Sequence, residues 1–395
     1  MYKIFLNLGY QPFANDFSKN PKKIIKPNKL QIGFNTKNYL VSIAKKFPSK
    51  KIYNNKYPYL SSASTTMRES FRKLASKIKN KYNPKKILEI GSNDGSFIKH
   101  FKKKKALCVE PCKNIALITK KKGYLTFDKL WDLNLVKKLK KKIGQVDCIY
   151  SANTISHINN LNVAFNAIKK ILSNDGILII EDPSLLENLK KNAYDQFYNE
   201  HIYVFSLIAL NKLLQKFNLE VFDIDILTTH GGSLRYYIKN KNNKKFLITE
   251  KVSSYKKKEI KYGLNKIITY KKFAERVHKS KKKLFNIFDK IKKDKKIVIG
   301  YGATAKSTTV LNFCSIDSNF IDYFLDTTSY KINKYTPGTN IKIKKYKNKL
   351  SAKDCSYAYL GAWNFKDEIL KKERQFLRQG GKFITHVPTP RIISK

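Results

Sequence analysis

From residue 64 onwards the apolar positions fall into short runs that alternate with amphipathic stretches. Short apolar runs bounded by glycine or polar turns are typical of buried strands, whereas a period of 3.6 residues indicates helices. The predicted helices lie at 64–80, 161–173 and 201–217. A strand, a glycine turn and a helix start are predicted over 85–101, strands at 106–111 and 176–184, and a strand running into a loop over 146–158. A strand pair is predicted within 219–239. Alternating strands and helices predict an α/β fold with a mostly parallel, doubly wound sheet.

The flanking regions have different patterns. Residues 1–75 contain five prolines that act as breakers, so this part is predicted to be irregular. The lysine-rich stretch 240–295 has a helical pattern, and a second α/β unit follows with predicted elements at 296–313, 321–326, 355–361 and 381–387. The predicted organisation is an N-terminal lobe (1–75), a central domain (76–245), a helical connector (246–293) and a C-terminal Rossmann-like domain (294–395).

Composition narrows the class of protein. The 395-residue chain is 42% hydrophobic, which is enough for two or three cores, and it has no apolar run long enough for a membrane span. The N-terminal stretch lacks the pattern of a signal peptide. Five scattered cysteines form no C-x-x-C pair, which argues against a disulfide framework or a zinc knuckle. We therefore expect a cytoplasmic protein without a membrane span.

The formal charge of +52 raises the possibility of an anionic partner. Only seven of the 81 basic residues are arginine, however, and lysine is spread from end to end. Readers of nucleic acids favour arginine, which binds bases and phosphates with two parallel hydrogen bonds. The pattern favours a compositional bias on solvated faces, so no nucleic-acid partner is expected.

The stretch "LEIGSNDG" (88–95) places a carboxylate and two glycines at the end of a predicted strand. It lacks the third glycine of a phosphate-binding G-x-G-x-x-G turn, and an E-x-G-x-x-x-G turn suits S-adenosylmethionine (SAM), which has no phosphate. A carboxylate ending the next strand can accept both ribose hydroxyls. The SAM-binding candidates are Glu89, Gly91, Asn93, Gly95 and Glu110.

Three further polar stretches carry candidate chemistry. "SANTISHI" (151–158) follows a predicted strand, so Asn153 is a further cofactor candidate and His157 is a candidate near the reacting group. A helix-capping asparagine and a surface histidine would fit the same residues. "YDQFYNEH" (194–201) supplies a base, a tuning group and a phenol, and residue types alone leave a surface turn equally open. "THGGSLR" (229–235) adds a polar turn at the same end of the sheet, with His230 and Arg235 as substrate-binding candidates.

The stretch "GYGATAKS" (300–307) opens the second α/β unit. Its glycines, lysine and hydroxyls at a strand-to-helix turn can cradle an anion or a pyrophosphate. It is not a P-loop, because G-x-x-x-x-G-K-[ST] is absent.

These motifs, in this order, resemble the SAM-dependent sugar C-methyltransferases, which methylate a carbon of nucleotide-linked 4-keto-deoxysugars. The resemblance runs nearly end to end. It rests on "LGYQPFANDF", "YPYLSSASTTMRE", "LEIGSNDGSF", "VEP", "NTISHI", "YDQFYNEH", "THGGSLR", "GYGATAKS", "YTPGTNI", "AWNFKDEI" and "GGKFITHVPTPRII". It implies a class I methyltransferase domain, SAM as cofactor and a nucleotide-linked sugar as substrate.

The resemblance also implies residue roles. His201 would remove the proton beside the ketone, with Tyr198 and Glu200 positioning the base or the enolate and His157 close to the sugar. Tyr59, or else Tyr57, would reach in from the N-terminal lobe. The residues expected to face the nucleotide are Gly300, Gly302 and Lys306.

One departure concerns the N-terminal lobe. Members of the family carry two cysteine pairs there, and this chain has neither, so no four-sulfur zinc site is expected and the lobe must be reduced or held by packing. Two other functions stay open. The chain could methylate another glycan-precursor acceptor, or it could be a lysine-rich binder of anionic surfaces or nucleic acid with a degenerate enzyme fold. The oligomeric state is not predicted.

Overall fold

The computed structural model describes residues 1–21, 23–24, 26–55 and 57–395. Its strands are β1 (Tyr2–Gln11), β2 (Asn28–Asn35), β3 (Val41–Ile43), β4 (Ile87–Ile90), β5 (Ala106–Val109), β6 (Leu125–Phe127), β7 (Val146–Ala152), β8 (Leu172–Pro183), β9 (Tyr203–Val204), β10 (Leu219–Leu227), β11 (Ser233–Asn240), β12 (Val298–Tyr301), β13 (Tyr323–Asp326), β14 (Lys342–Lys345), β15 (Tyr357–Leu360), β16 (Lys382–Thr385) and β17 (Arg391–Ile393). Its α-helices are α1 (Ser49–Ile52), α2 (Thr65–Lys81), α3 (Lys113–Lys121), α4 (Leu133–Ile143), α5 (Leu161–Ile171), α6 (Leu185–Lys190), α7 (Leu207–Gln215), α8 (Glu250–Tyr262), α9 (Ile267–Lys293), α10 (Ala305–Cys314), α11 (Lys366–Lys372) and α12 (Arg374–Arg378).

A seven-stranded sheet of order β10-β11-β8-β7-β4-β5-β6 lies at the centre of the chain. The strands from β8 to β6 run parallel, and β10 and β11 form an antiparallel hairpin at one edge. β4 and β5 are buried along their whole length, as expected for strands covered on both faces. The predicted doubly wound sheet and its closing hairpin are therefore confirmed. The strand order reverses between β4 and β7, so a crevice opens at their carboxyl ends.

Two predicted helices are shorter than the pattern indicated. After the glycine turn the chain forms only a 3₁₀ turn over Ile98–His100 instead of starting an α-helix. This turn lets Phe97 pack on Tyr150 with ring centroids 4.1 Å apart, and strand β5 begins a few residues later. The helix expected from residue 201 begins at Leu207, because the preceding residues form β9.

The N-terminal lobe is not irregular, and that prediction was wrong. β1, β2, β3 and β9 form an antiparallel sheet in that order. Leu6 and Leu8 alternate with exposed neighbours along β1, as in a half-buried strand. Of the prolines that indicated an irregular region, Pro12, Pro21 and Pro27 lie between β1 and β2, and Pro48 and Pro58 follow β3.

The segment that follows His201 holds the lobe in place. β9 pairs with β3 through Val41 and Val204, so a piece of the central region completes the lobe's sheet. The Asn199 side-chain amide donates to the carbonyl of Pro12 at 2.9 Å, and its oxygen accepts the N–H of Ala14 at 3.1 Å. Backbone pairing and this amide hold the lobe against the segment around His201. In the described residues, no group of three or more His, Cys, Asp or Glu side chains is arranged to hold a metal ion.

The last part of the chain forms a second sheet of order β14-β13-β12-β15-β16-β17. Its strands are parallel except β17, and the helices α8 and α9 precede it, as the pattern predicted. β14 and β17 were missed, since both are short and largely exposed. Among the helices of the described ranges, none combines the length and apolar character needed to cross a membrane. The domain boundaries at residues 75, 245 and 293 remain predictions.

Candidate functional site

A cavity of about 290 Å³ lies at the carboxyl ends of β4, β5 and β7. Its walls come from the glycine turn after β4, from the end of β5 and from the loop after β7, and tyrosines of the N-terminal lobe cover it. The predicted cofactor residues that line it are Glu89, Gly91, Asn93, Glu110 and Asn153. Gly95 lies in the same turn.

The glycine turn needs its two glycines. Gly91 has φ +73°, and a Cβ there would lie 2.1 Å from Oγ1 of Thr154. Gly95 has φ +79°, and a Cβ there would lie 2.7 Å from Cγ2 of Thr119. Asn93 between them is also left-handed, at φ +47°. The turn therefore keeps its backbone open toward the cavity.

Two carboxylates complete this end of the sheet. Both Glu110 oxygens accept backbone N–H groups, from Asn93 and from Cys112, each at 2.9 Å. These bonds fix the carboxylate at the strand end, with acceptor capacity left for ribose hydroxyls. Glu89 is buried, and its Oε2 has no hydrogen-bond partner within the described chain. An open turn, a fixed carboxylate and an unpartnered buried oxygen fit SAM.

We expect Gly91→Ala to weaken binding of S-adenosylhomocysteine at least tenfold. The added methyl would clash with Thr154 and impose a strained φ, so the turn must shift into the cavity. Isothermal titration calorimetry would measure the change. Gly380→Ala is the matched control, because Gly380 also has a positive φ (+91°) but nothing within 4 Å of its Cβ position. Equal affinity in both variants would contradict the prediction.

The predicted catalytic residues meet beside this cavity. His201 Nδ1 lies 2.8 Å from the carbonyl of Gln196, and since a carbonyl only accepts, Nδ1 carries the proton. Nε2 therefore holds a lone pair, and the Tyr198 hydroxyl donates to it at 2.6 Å. Burial, together with the charges of His157 and Lys306, holds the pKa of His201 well below its usual value. The histidine is thus a neutral base in a fixed tautomer.

His157 lies next to this pair, with its ring centroid 5.0 Å from that of His201. Its Nδ1 is 2.8 Å from the hydroxyl of Tyr53, a residue of the N-terminal lobe that the sequence analysis missed. Its Nε2 is buried without a partner among the described residues. Burial lowers the pKa of His157 to about 4, so it is neutral at physiological pH.

Glu200 is bound by the N-terminal lobe. The Asn15 amide donates to Oε1 at 2.6 Å and the Tyr57 hydroxyl donates to Oε2 at 3.1 Å. The lobe tyrosine that hydrogen-bonds this carboxylate is Tyr57, and the choice of Tyr59 over Tyr57 as the tyrosine that reaches the reacting group stays a prediction. Tyr59 lines the cavity, where 43% of its surface stays exposed. Burial raises the pKa of Glu200 to about 7 against the effect of its two donors.

His230 joins the loop after β7 to the segment 194–201, which contains the predicted catalytic residues. Its Nε2 lies 3.2 Å from the Asn153 amide nitrogen, and its carbonyl accepts from the Gln196 side chain at 2.8 Å. It has a left-handed backbone, with φ +53°. Burial and the charge of Lys306 lower its pKa to about 3. The turn therefore contacts both segments, and the role of His230 in substrate binding stays a prediction.

The three predicted nucleotide-binding residues at the end of β12 and in the turn after it have different surroundings. Lys306 Nζ is buried, has no hydrogen-bond partner among the described residues, and lies 5.7 Å from the ring centre of Trp363. Gly302 has φ +82° in the turn after β12. Gly300 lies within β12, and its missing Cβ makes room for the Phe324 ring, at 2.3 Å. The prediction that Gly300 faces substrate is replaced by a packing role.

Arg235 is also a correction. It is buried on β11, where it binds Glu181 at 2.7 Å and lies 3.5 Å from Asp225. It does not line the cavity. An arginine held by two carboxylates is already neutralised, so the predicted role in substrate binding is replaced by a structural one.

We expect Arg235→Met to lower the free energy of unfolding by about 3–5 kcal/mol, because Glu181 would keep a buried charge without its main partner. Chemical denaturation with a refolding check would measure it. Turnover at saturating substrate should be nearly unchanged below the melting temperature. A stable variant with a raised KM would instead restore Arg235 to the substrate site.

An interdomain cluster escaped the sequence analysis. Asp195, fully buried, accepts from the Trp363 indole N–H at 2.5 Å and lies 3.4 Å from Nε2 of His386. Asp195 precedes the catalytic segment, whereas its two partners come from the C-terminal domain. In the sequence, Asp195 and His386 are visible only as polar residues within "YDQFYNEH" and "ITHVP", and neither stretch indicates that they pair.

The fold and this site define a class of enzyme. A sheet of this strand order, with a glycine turn after β4 and a fixed carboxylate after β5, is that of a class I SAM-dependent methyltransferase. Comparisons with known proteins narrow the class. Residues 59–224 match a methyltransferase domain family, and residues 228–388 match the C-methyltransferase C-terminal domain family.

The chain is 28% identical over 310 residues to the C-methyltransferase NovU of Streptomyces niveus, a match covering 78% of this chain and 73% of NovU. The protein described here is therefore a SAM-dependent C-methyltransferase. Among solved structures, a Thermotoga maritima SAM-dependent methyltransferase described as a possible histamine N-methyltransferase is 20% identical, with a TM-score of 0.32 over 43% of this chain and 89% of that chain. The magnesium protoporphyrin IX methyltransferase ChlM of Synechocystis PCC 6803 is 12% identical, with a TM-score of 0.34 over 43% of this chain and 82% of that chain.

Proposed function

We propose that the chain methylates the carbon next to the ketone of a nucleotide-linked 4-keto-deoxysugar. The observation that carries the proposal is the hydrogen-bonded chain from Tyr198 to His201 to the Gln196 carbonyl. A neutral imidazole with its lone pair engaged by a phenol suits removal of a carbon-bound proton. Methylation of a hydroxyl needs no such base, so this arrangement favours a ketone substrate.

In the proposed mechanism, Tyr198 and His201 act together. The proton beside the ketone passes directly to Nε2 of His201 after the phenol rotates away, or it is taken up by the Tyr198 oxygen as the phenol gives its own proton to Nε2. The electron pair of the broken C–H bond delocalises onto the ketone oxygen. General-base help of this kind contributes about 10²–10⁴ in rate.

When bound, SAM supplies the methyl group on a sulfonium. The methyl group would go to the enolate carbon, with the sulfur keeping the electron pair of the C–S bond. Glu110 and the glycine turn would hold the cofactor, with Asn153 on the far wall of the cavity. His157, whose Nε2 is free to bond, would face the sugar oxygens.

The C-terminal turn would hold the nucleotide. Lys306 offers a buried ammonium that the site leaves without a direct ion pair, and burial lowers its pKa although Asp195 opposes this. A phosphate would supply the missing counter-charge. Gly302 would allow the phosphate to approach the backbone before helix α10.

Two measurements test the proposal. Nucleotide-linked 4-ketosugars incubated with enzyme and SAM should gain one methyl mass, and the same sugars should exchange one carbon-bound hydrogen with D₂O when SAM is left out. Methyl gain on an oxygen, shown by its alkaline-stable ether, would overturn the ketone assignment. Failure of every ketosugar alongside turnover of another carbon acid would overturn the sugar assignment.

A further inference from the structure

Glu200 is next to the proposed base in sequence, yet its hydrogen bonds go to another part of the molecule. Both donors, the Asn15 amide and the Tyr57 hydroxyl, belong to the N-terminal lobe. They lie 185 and 143 residues away along the chain. Each oxygen of the carboxylate thus has one donor, and both donors are supplied by a single structural unit.

The surroundings of Glu200 make its ionisation depend on these donors. The side chain is 4% exposed, and burial alone would favour the protonated acid. The titratable groups that face it are three phenols and a thiol, those of Tyr53, Tyr57, Tyr198 and Cys112. Among the described residues, no cation is shown to pair with Glu200. Two hydrogen-bond donors are therefore what favours the carboxylate.

The charge on Glu200 acts on the proposed catalytic pair. It raises the pKa of Tyr198, second only to burial, and so keeps the phenol protonated and donating to His201. It also raises the pKa of Tyr53, which contacts His157. Glu200 therefore acts on His201 through Tyr198, the phenol that donates to it.

We propose that Asn15 is a positioning residue that, together with Tyr57, favours the ionised form of Glu200, so that the seated N-terminal lobe promotes the negative charge beside Tyr198. This inference rests on the proposed function for its catalytic consequence. The lobe is then a working part of the active site, and its role does not require a metal. The hydrogen bonds of Asn199 to Pro12 and Ala14 place Asn15 at the carboxylate.

The direct test is the titration of the Glu200 carboxyl by infrared difference spectroscopy on the full chain, with Glu200→Gln identifying the band. The midpoint in the unmodified protein should lie near pH 7. Loss of a hydrogen bond to a charged group should move it up by about 1 pH unit or more in Asn15→Ala. Asn15→Asp, which keeps the volume but replaces the donor by an acceptor, should move it further.

The catalytic consequence is a matching shift of the pH–rate profile. At pH 7, kcat should fall about fivefold in Asn15→Ala and recover as the pH rises above the new midpoint, with KM for SAM little changed. A merely structural role would give no alkaline recovery. Asn7→Ala, an exposed asparagine of the same lobe, should behave as the unmodified protein.

Three outcomes separate the possibilities. An unchanged Glu200 midpoint in Asn15→Ala and in Asn15→Asp would overturn the inference. If these variants fail to fold, Tyr57→Phe keeps the ring, removes the second donor and must show the same upward shift. If the unmodified enzyme methylates no ketosugar, the proposed function fails, while the infrared titration still decides the role of Asn15.

Discussion

His201→Ala is expected to lower methyl transfer by about 10²–10⁴-fold and to abolish hydrogen exchange into the ketosugar. The substitution removes an imidazole that carries a lone pair at Nε2 and is oriented by a backbone carbonyl through Nδ1. Tyr198 would be left without its acceptor. Single-turnover assays with mass detection measure transfer, and NMR in D₂O measures exchange.

Affinity for S-adenosylhomocysteine should be nearly unchanged in this variant, because His201 is not part of the cavity wall that Gly91 and Glu110 build. His278→Ala is the matched control, since His278 is exposed on α9, with its ring centroid 5.9 Å from that of Phe313. Its activity should equal that of the unmodified enzyme. Exchange at the normal rate in His201→Ala would remove His201 from the role of base.

The second large effect is expected on stability. Asp195→Ala should lower the free energy of unfolding by about 3–5 kcal/mol at pH 7, because its loss leaves buried polar partners unpaired. The indole N–H of Trp363 would lose its acceptor, and Lys306 would lose a carboxylate whose charge offsets its burial. Denaturant titration would measure the change, and the two domains should separate in their unfolding transitions.

The effect should depend on pH in a defined direction. Burial pushes the pKa of Asp195 up, but His386, Lys306 and Trp363 outweigh it, so the folded-state pKa lies below the unfolded value near 3.8. A depressed carboxyl pKa stabilises the fold above the unfolded pKa and ceases to do so as the pH falls through the folded value. The variant and the unmodified protein should therefore converge in stability in strong acid.

Asp289→Ala supplies the control for this prediction. Asp289 forms a surface pair with Lys293 one helical turn away, at 2.8 Å, and such pairs are screened by solvent. Its unfolding midpoint should stay that of the unmodified protein at every pH. A difference between Asp195→Ala and the unmodified protein that grows in acid would contradict the assignment.

The central sheet could be predicted because its signals are local. Four or five neighbouring apolar residues are enough to predict a buried strand such as Ile87–Ile90, and the glycine turn that follows is recognisable by itself. The same holds for β12 and α10 in the C-terminal domain. Each pattern reports what the chain must do within a few residues.

Contacts between distant segments could not be predicted in this way. Trp363 and Asp195 are 168 residues apart, and Asn15 and Glu200 are 185 residues apart. No periodicity connects such positions, since their pairing depends on how finished sheets and helices pack. The two-residue strand β9 is a similar case, because its strand character comes from its partner β3. The errors at Arg235 and Gly300 arose from the same cause.

The placement of β9 constrains how these enzymes can be recombined. Three strands of the lobe's sheet lie before residue 44, but the fourth is encoded immediately after His201. In a chimera joined at residue 75, the lobe would come from one parent and its edge strand β9 from the other. The hydrogen bonds of Asn199 to the lobe would then also join residues of different parents. Exchange of substrate-covering lobes between relatives must therefore carry residues 199–204 along with residues 1–75, as two inserts rather than one.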